Sequence, residues 1–256
     1  MRESPVPWLD EAAPLPPTAR ALGPGSLAPG LLAAGGRLSV ERLREAYRRG
    51  VFPWFSPGQP PLWWAPDPRL VLPVAEFVLS RSLRKTLRRF VADARCEIVF
   101  DADFHAVIGA CAHTPRGGQD GTWIVPEMIA AYRAWHACGE VHSVECRVGG
   151  ALVGGLYGVA LGRMFYGESM FAWHSDASKI ALAALVAFCR AHGITWIDCQ
   201  QQTTHLASLG AREVPRAQFE QHLTHACGAD PVADWTYHRR YWAELGLGPV
   251  PTDSPA

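Results

Sequence analysis

The amino-acid sequence predicts an α+β fold built on a mixed, mainly antiparallel sheet, and three observations predict it. Residues 141–148, 151–161 and 164–171 have strand length and pattern, and only Gly149-Gly150 and Gly162-Arg163 separate them, as in tight turns between antiparallel neighbours. The stretch ASKIALAALVAFCRAH is a helix apolar on nearly all sides, capped by Asp176 and stopped by Gly193, so it is expected to lie buried against that sheet. Strand ITWIDCQ (194–200) then returns beside the hairpins, and a further helix begins after Pro215.

The earlier elements follow in chain order. Fourteen of the 21 prolines fall in the first 73 residues, which predicts a loop-rich segment without long helices or central strands. One helix interrupts it: Ser39 caps, Glu41 sits in the first turn, Val40, Leu43, Ala46 and Tyr47 form the apolar stripe, and Gly50 ends it. From Gly50 to Arg69 prolines alternate with Trp54, Trp63 and Trp64, which reads as a stiff aromatic loop with neither period. SRSLRKTLRRF (80–90) is a helix with Leu83, Leu87 and Phe90 inward and Arg81, Arg84, Lys85, Arg88 and Arg89 outward, the densest basic cluster in the chain. Helices near Asp101 and from Pro126 to Gly139 precede the strands. Hairpins, one central buried helix and a strand returning beside them describe a sheet of the N-acetyltransferase kind. The expected division is a Pro/Trp-rich N-terminal domain at 1–67, a larger domain at 68–240 and a tail at 241–256.

Composition narrows the function classes. Hydrophobic residues make up 48% and charged residues 19%, enough apolar surface for a sizeable core. Lys plus Arg and Asp plus Glu are both 24, so a polyanion has to be held by a local basic cluster and not by the field of the whole molecule. The seven cysteines are widely spaced without a C-x-x-C pair, which suits reduced core thiols. With no apolar stretch after a basic start and no run approaching a membrane span, the expectation is a cytoplasmic protein without signal peptide or membrane contact.

The strand ITWIDCQ carries the chemistry most plainly. Alternation puts Ile194, Trp196, Asp198 and Gln200 on one face and Thr195, Ile197 and Cys199 on the other, so a carboxylate and an amide project together. In so apolar a strand Asp198 either satisfies a neighbouring turn or faces a functional cleft, since an unpaired buried charge is costly. Glu168 poses the same question in FYGESMF, flanked by Gly167 and Ser169. Two inward acids make a cation site, or Glu168 pairs with Arg163. A Cys199–His205 nucleophile lacks an oxyanion motif, and His222, His225 and Cys227 read as helix surface, so no metal is expected. No Walker, dinucleotide or acyl-CoA pyrophosphate loop is present. Arg190-Ala-His-Gly-Ile-Thr comes nearest to the last and fails at Thr195, so no cofactor is expected.

In order and spacing, YRRGVFPWFSPGQPPLWWAPDPR, GTWI, HSVE, LVGGLYGVALG, FYGESMF, DASKIAL, IDCQ and HLASLGA resemble the leucyl/phenylalanyl-tRNA–protein transferases over about residues 30 to 220. The resemblance implies transfer of Leu or Phe, and less readily Met, from aminoacyl-tRNA to the α-amine of an N-terminal Arg or Lys, marking that protein for N-degron degradation. It implies that Asp198 and Gln200 position or activate the amine, with Glu168 near the acceptor. Trp54 and Trp123 are implied against the terminal adenosine, and Leu156, Phe165, Met170, Leu182, Leu185 and Ile197 around the donor side chain. Arg88 and Arg89, with Arg84 and Lys85, are implied as phosphate contacts for the acceptor stem. A monomer is expected. QQTTH after IDCQ, and the chain from Asp230 including WTYHRRYW, match nothing in the family pattern. The rival readings are an acyl or aminoacyl transferase of the same fold with another acceptor, and a non-enzymatic RNA-binding protein.

Overall fold

The computed structural model describes residues 6–114 and 124–248. Two sheets organise them. The first is formed by β1 (Trp8–Leu9), β2 (Leu31–Gly35), β3 (Phe52–Pro53) and β4 (Leu62–Trp64) in the order β1-β2-β4-β3, with helix α1 (Val40–Arg48) between β2 and β3. The aromatic loop expected at 50–69 therefore contains two short strands, and β2 and β4 are central ones. Only three proline-free residues are needed to pair Trp64 with Leu31 and Phe52, while Pro53, Pro60 and Pro61 stay at strand ends. α1 forms as expected: the Ser39 hydroxyl accepts from Arg42 N at 3.2 Å, and Leu43, Ala46 and Tyr47 are buried.

The second sheet takes every later strand: β5 (Arg69–Pro73), β6 (Cys96–Phe100), β7 (Val141–Val148), β8 (Ala151–Leu161), β9 (Met164–Ala172), β10 (Trp196–Gln200) and β11 (Arg212–Val214). Its order is β11-β5-β10-β9-β8-β7-β6. Every pairing is antiparallel except β10 with β9, so the sheet is mixed and mainly antiparallel, as expected. Its helices are α2 (Arg81–Ala92), α3 (Phe104–His113), α4 (Pro126–His136), α5 (Ala177–Ala191), the short α6 (Thr204–Ser208) and α7 (Arg216–Ala226).

The two faces of this sheet build two cores. The first sheet with α1, α3, α4 and α7 covers one face, where Tyr47, Trp63, Trp135, Tyr157, Tyr166 and Phe219 are buried. α5, α2 and residues from Val232 onward cover the other. α5 is apolar all round because it is enclosed all round: Ile180 to Cys189 are buried without a break. Asp176 does not cap it. Its backbone is left-handed at φ 63, and its carboxylate accepts from Lys179 Nζ at 2.8 Å. Ile194 is also displaced from the expected face. The strand begins only at Trp196, and Ile194 joins the α5 core.

α5 crosses β8 at Gly154, where a Cβ would stand 2.4 Å from Ala177 Cβ and 3.1 Å from backbone atoms. Gly154→Ala is expected to lower stability by about 1–3 kcal/mol through overpacking. Gly109, inside α3 with nothing within 4 Å of its missing Cβ, makes the opposite case. Gly109→Ala is expected to raise stability by about 0.5–1 kcal/mol through helix propensity and a less disordered unfolded chain. Urea unfolding of both variants checks the pair, and a stable Gly154→Ala would show that α5 is free to shift on the sheet.

Candidate active site

Asp198 is fully buried in the middle of β10, opposite Val71 on β5 and Tyr166 on β9. Arg69, the first residue of β5, meets it bidentately: Nε donates to Oδ1 at 2.8 Å and Nη2 to Oδ2 at 2.6 Å. The third nitrogen, Nη1, donates to the Gly50 carbonyl at 3.1 Å. Phe52 and Phe219 lie against the guanidinium, with ring centroids 4.7 and 4.8 Å from Cζ. Such a pair survives desolvation only because geometry and the remaining hydrogen bonds are satisfied. The Asp198 carboxylate serves the chain in a second way, since Oδ1 also accepts from Gln200 N at 2.9 Å.

That bond supports unusual backbone. β10 bulges between Asp198 and Gln200, and Gln200 is left-handed at φ 62, a conformation costing a non-glycine residue roughly 1–2 kcal/mol. β9 bulges too: Tyr157 faces Ser169 and Gly158 faces Gly167, so Glu168 is the extra residue. The two distortions bring Gln200 Nε2 to 3.1 Å from Glu168 Oε1. Tyr47 OH stands 2.7 Å from the same oxygen and Tyr132 OH 3.0 Å from Oε2, and the two hydroxyls are also within hydrogen-bond reach of each other, so their two protons fill two of these three contacts while the carboxylate is ionised.

Glu168 has no arginine partner among the described residues, and Arg163 instead donates to the His192 carbonyl, so the expected alternative of a Glu168–Arg163 ion pair is not formed. Burial pushes the Glu168 carboxyl up to about 7, against the lowering by the Tyr47, Tyr132 and Gln200 hydrogen bonds and with a further rise from the Asp198 charge. Burial, and then the Glu168 charge, push both tyrosines well above their ordinary value, so they stay neutral donors.

β10 and β9 pair only at Ile197 with Phe165 and Asp198 with Tyr166. Beyond these lie Gly167 and Glu168 on one strand and Cys199 and Gln200 on the other. Gly167, Cys199 and Gln200 are partly exposed. Where this pairing stops, polar groups lie on one face of the two strands and an apolar set on the other. Ile197 stands beside Phe165 and Leu156 beside Met170 in register, and Leu182 and Leu185 come from α5. The six residues expected around a donor side chain thus all belong to, or pack against, the core on the α5 side of the sheet.

The other candidates disperse. Trp54 is exposed at 39% and edge-on to Trp64 at 5.4 Å, while Trp123 lies outside the described residues. Cys199 faces the α5 core, opposite Asp198, and burial pushes its thiol up, so it is no nucleophile. His222 stacks on Trp196 at 4.1 Å, His225 bonds the Gln221 carbonyl and Cys227 meets Tyr166 OH, three separate roles. Lys85, Arg88 and Arg89 are exposed on α2, but Arg84 is partly turned away from the outward face because Nη1 donates to the Leu245 carbonyl at 3.3 Å.

Three site residues escaped the sequence reading: Arg69, Tyr47 and Tyr132. Arg69 carries a signal of its own, a charge opening the apolar run RLVLP, and Tyr47 another, a hydroxyl within an apolar stripe that needs a partner. Arg69→Met alone strands a buried carboxylate and is expected to cost about 3–5 kcal/mol, whereas adding Asp198→Leu is expected to recover most of that loss. A double-mutant cycle by urea unfolding measures it, and two independent, additive losses would refute the coupling.

Comparison with known proteins places this geometry. The profile of the leucyl/phenylalanyl-tRNA protein transferase matches residues 71–224, and that of its N-terminal domain matches residues 36–67. The leucyl/phenylalanyl-tRNA–protein transferase of Methylibium petroleiphilum is 65% identical over 243 residues, 94% of this chain and 92% of that protein. That of Leptothrix cholodnii is 63% identical over 244 residues, 94% and 95% of the two chains. Likeness to solved structures is slight: a GCN5-related N-acetyltransferase from Kribbella flavida gives a TM-score of 0.31 at 13% identity, over 68% of this chain and 59% of that one. With both profiles matched and relatives this similar along nearly its whole length, the chain belongs to the leucyl/phenylalanyl-tRNA–protein transferase family.

Proposed function

We propose that this aminoacyltransferase moves Leu or Phe, and less readily Met, from aminoacyl-tRNA to the α-amine of a protein whose N-terminal residue is Arg or Lys, marking it for N-degron degradation. The observation that carries the reading is the end of the β9–β10 pairing, where Gln200 meets Glu168 on one face and an apolar set lies on the other. The proposed compartment is the cytoplasm, where charged tRNA resides, and among the described residues no helix is long and apolar enough to cross a membrane. The proposed division keeps residues 1–67 as an N-terminal domain, and the acting species is a monomer.

An aminoacyl ester is already activated, so the reaction needs no covalent enzyme intermediate. The neutral amine attacks the ester carbonyl, the bond to the terminal ribose oxygen breaks, and one proton passes from nitrogen to that oxygen. Gln200 Nε2 is occupied by Glu168, which leaves Oε1, unbonded to any described residue, to accept an N–H of the attacking amine and aim its lone pair. Glu168 supplies negative charge for a cationic acceptor, whose approach favours the ionised carboxylate. Asp198 has no exposed atom and is saturated by Arg69 and Gln200 N, so in this reading it holds Gln200 in place and takes no proton itself. The apolar set takes the donor side chain. Met170 gives it some adaptability, and a methylene more or less discriminates by only about 1–3 kcal/mol. Trp54, with Trp123, is proposed to meet the terminal adenosine, and Lys85, Arg88 and Arg89, with Arg84, to meet acceptor-stem phosphates.

Incubating the protein with labelled Leu-tRNA and an Arg-initiated peptide, without ATP, CoA or metal, tests the reading. Labelled peptide is expected, and its absence with an active tRNA preparation would refute it. Gln200→Ala is expected to slow single-turnover transfer about 10²-fold with an unchanged melting temperature; a full rate would remove Gln200 from the chemistry.

The pH dependence follows from Glu168, whose pKa rises from 4.5 free to about 7 in the fold. The folded state holds the extra proton between these values. Stability owed to this group is therefore full below about 4.5 and falls as pH rises to about 7. Transfer, which the ionised carboxylate favours by attracting the cationic acceptor, is expected to rise through the same range. Glu168→Gln is expected to abolish that limb while the acceptor amine's own limb near 8 remains. An unchanged profile would exclude Glu168 as the titrating group.

A further inference from the structure

The chain from Asp230 onward, beyond the residues that the family profile matches, folds back as a strap over the α5 core. Its 3-10 stretch Arg239–Leu245 buries Tyr241, Trp242 and Leu245. At three residues per turn Trp242 and Leu245 share the inward face, while Arg240 and Ala243 share an exposed one. Three contacts pin the strap to α2: Phe90 and Trp242 meet edge-on at 6.4 Å, Arg84 donates to the Leu245 carbonyl, and Arg239 Nη2 donates to the Val91 carbonyl. The Arg239 guanidinium thus sits at the carbonyl-rich end of α2, within one turn of Arg88 and Arg89. Arg240 follows, its Cζ 5.5 Å from the Tyr241 ring centroid.

Arg81, Lys85, Arg88, Arg89, Arg239 and Arg240 are all exposed, and none forms an ion pair with a described residue. The acids bordering them are engaged elsewhere or stand apart. Asp93 is held by Arg95 at 2.8 Å, Asp176 by Lys179 at 2.8 Å, and Asp234 accepts from Thr236 N at 2.9 Å. Glu244, exposed on the strap, pairs with neither arginine. In a chain of formal net charge zero, six uncompensated cations on two contacting elements make a local field for a polyanion. Regularly spaced phosphates suit it, because each contact releases a condensed counterion.

We infer that the strap is part of the tRNA-binding face, with Arg239 and Arg240 contacting acceptor-stem phosphates beyond those reached by α2. The inference rests on the proposed tRNA-dependent reaction and extends its contact surface to a segment that carries none of the family blocks. The test is titration of the full-length protein with deacylated leucine tRNA across about 50 to 200 mM salt. The double variant Arg239→Gln with Arg240→Gln is expected to reduce the slope of log affinity against log salt by about 1 to 2, with Arg239→Lys and Arg240→Lys together restoring it. Arg88→Ala with Arg89→Ala runs in parallel. An unchanged slope in the glutamine variant, while the α2 variant flattens, overturns the strap's role and leaves the proposed function standing. A slope that falls equally in the lysine variant also overturns it, since a merely structural role predicts that. Unchanged tRNA binding with weakened transfer to a protein acceptor assigns the strap to protein docking and likewise overturns it. Failure of the parent protein to bind tRNA or transfer Leu sinks the proposed function and this inference together.

Discussion

The Arg69–Asp198 pair is the constraint on which the rest of the site depends. Neither partner has an alternative: both are buried, both are charged, and water cannot reach either. Each is therefore stable only with the other in place, and each sits on a different element. Arg69 opens β5, Asp198 sits in the middle of β10, and the guanidinium's third bond reaches Gly50 at the end of α1. One residue thus ties the turn after α1 to β5 and β10. Phe52 and Phe219 complete the enclosure from β3 and α7, so four separate stretches of chain must assemble before the charge is accommodated.

From that pair the arrangement extends outward. Asp198 steadies the left-handed Gln200, Gln200 reaches Glu168 across the gap between strands, and Glu168 is gripped by hydroxyls from α1 and α4. The two bulges matter because regular strands would have carried these side chains past one another. A bulge adds one residue and re-aims the side chains beyond it. On β9 it also restores the alternation the apolar side requires: Tyr166 and Phe171 belong to one core and Phe165 and Met170 to the other, an order that an unbroken period of two cannot produce.

Much of this was legible in the sequence because it is local. The three hairpin strands, the basic helix and the enclosed α5 have periods that a short window reveals, whereas regular alternation from Asp198 to Gln200, expected from one strand, is interrupted by the bulge between them. Long-range pairing was not legible. Arg69 and Asp198 are 129 residues apart, and Tyr47 and Glu168 are 121 apart, so neither side's local pattern names its partner. The short strands among the tryptophans are invisible for the same reason, since β4 is a strand only because β2 lies beside it. Asp176 misled in another way. Its residue type and position suited a cap, but a left-handed backbone and Lys179 took the carboxylate elsewhere.

The geometry also bears on which carboxylate can take part in proton movement. To accept a proton Asp198 would have to surrender one of three donors, two of them from a guanidinium that would then be left buried and half-paired, a loss on the order of several kcal/mol. Glu168 faces no such penalty. Its partners are neutral hydroxyls and an amide, each of which can reorient when the carboxyl gains a proton, and burial has already moved its titration to about 7. Two acids a short distance apart are thus separated in role by their partners. The one bound bidentately by arginine is engaged in holding the strands and Gln200, and the one ringed by tyrosines is free to change state. A cationic acceptor entering beside Glu168 would find a carboxylate whose ionisation its own arrival promotes, so binding and the charge of the site rise together.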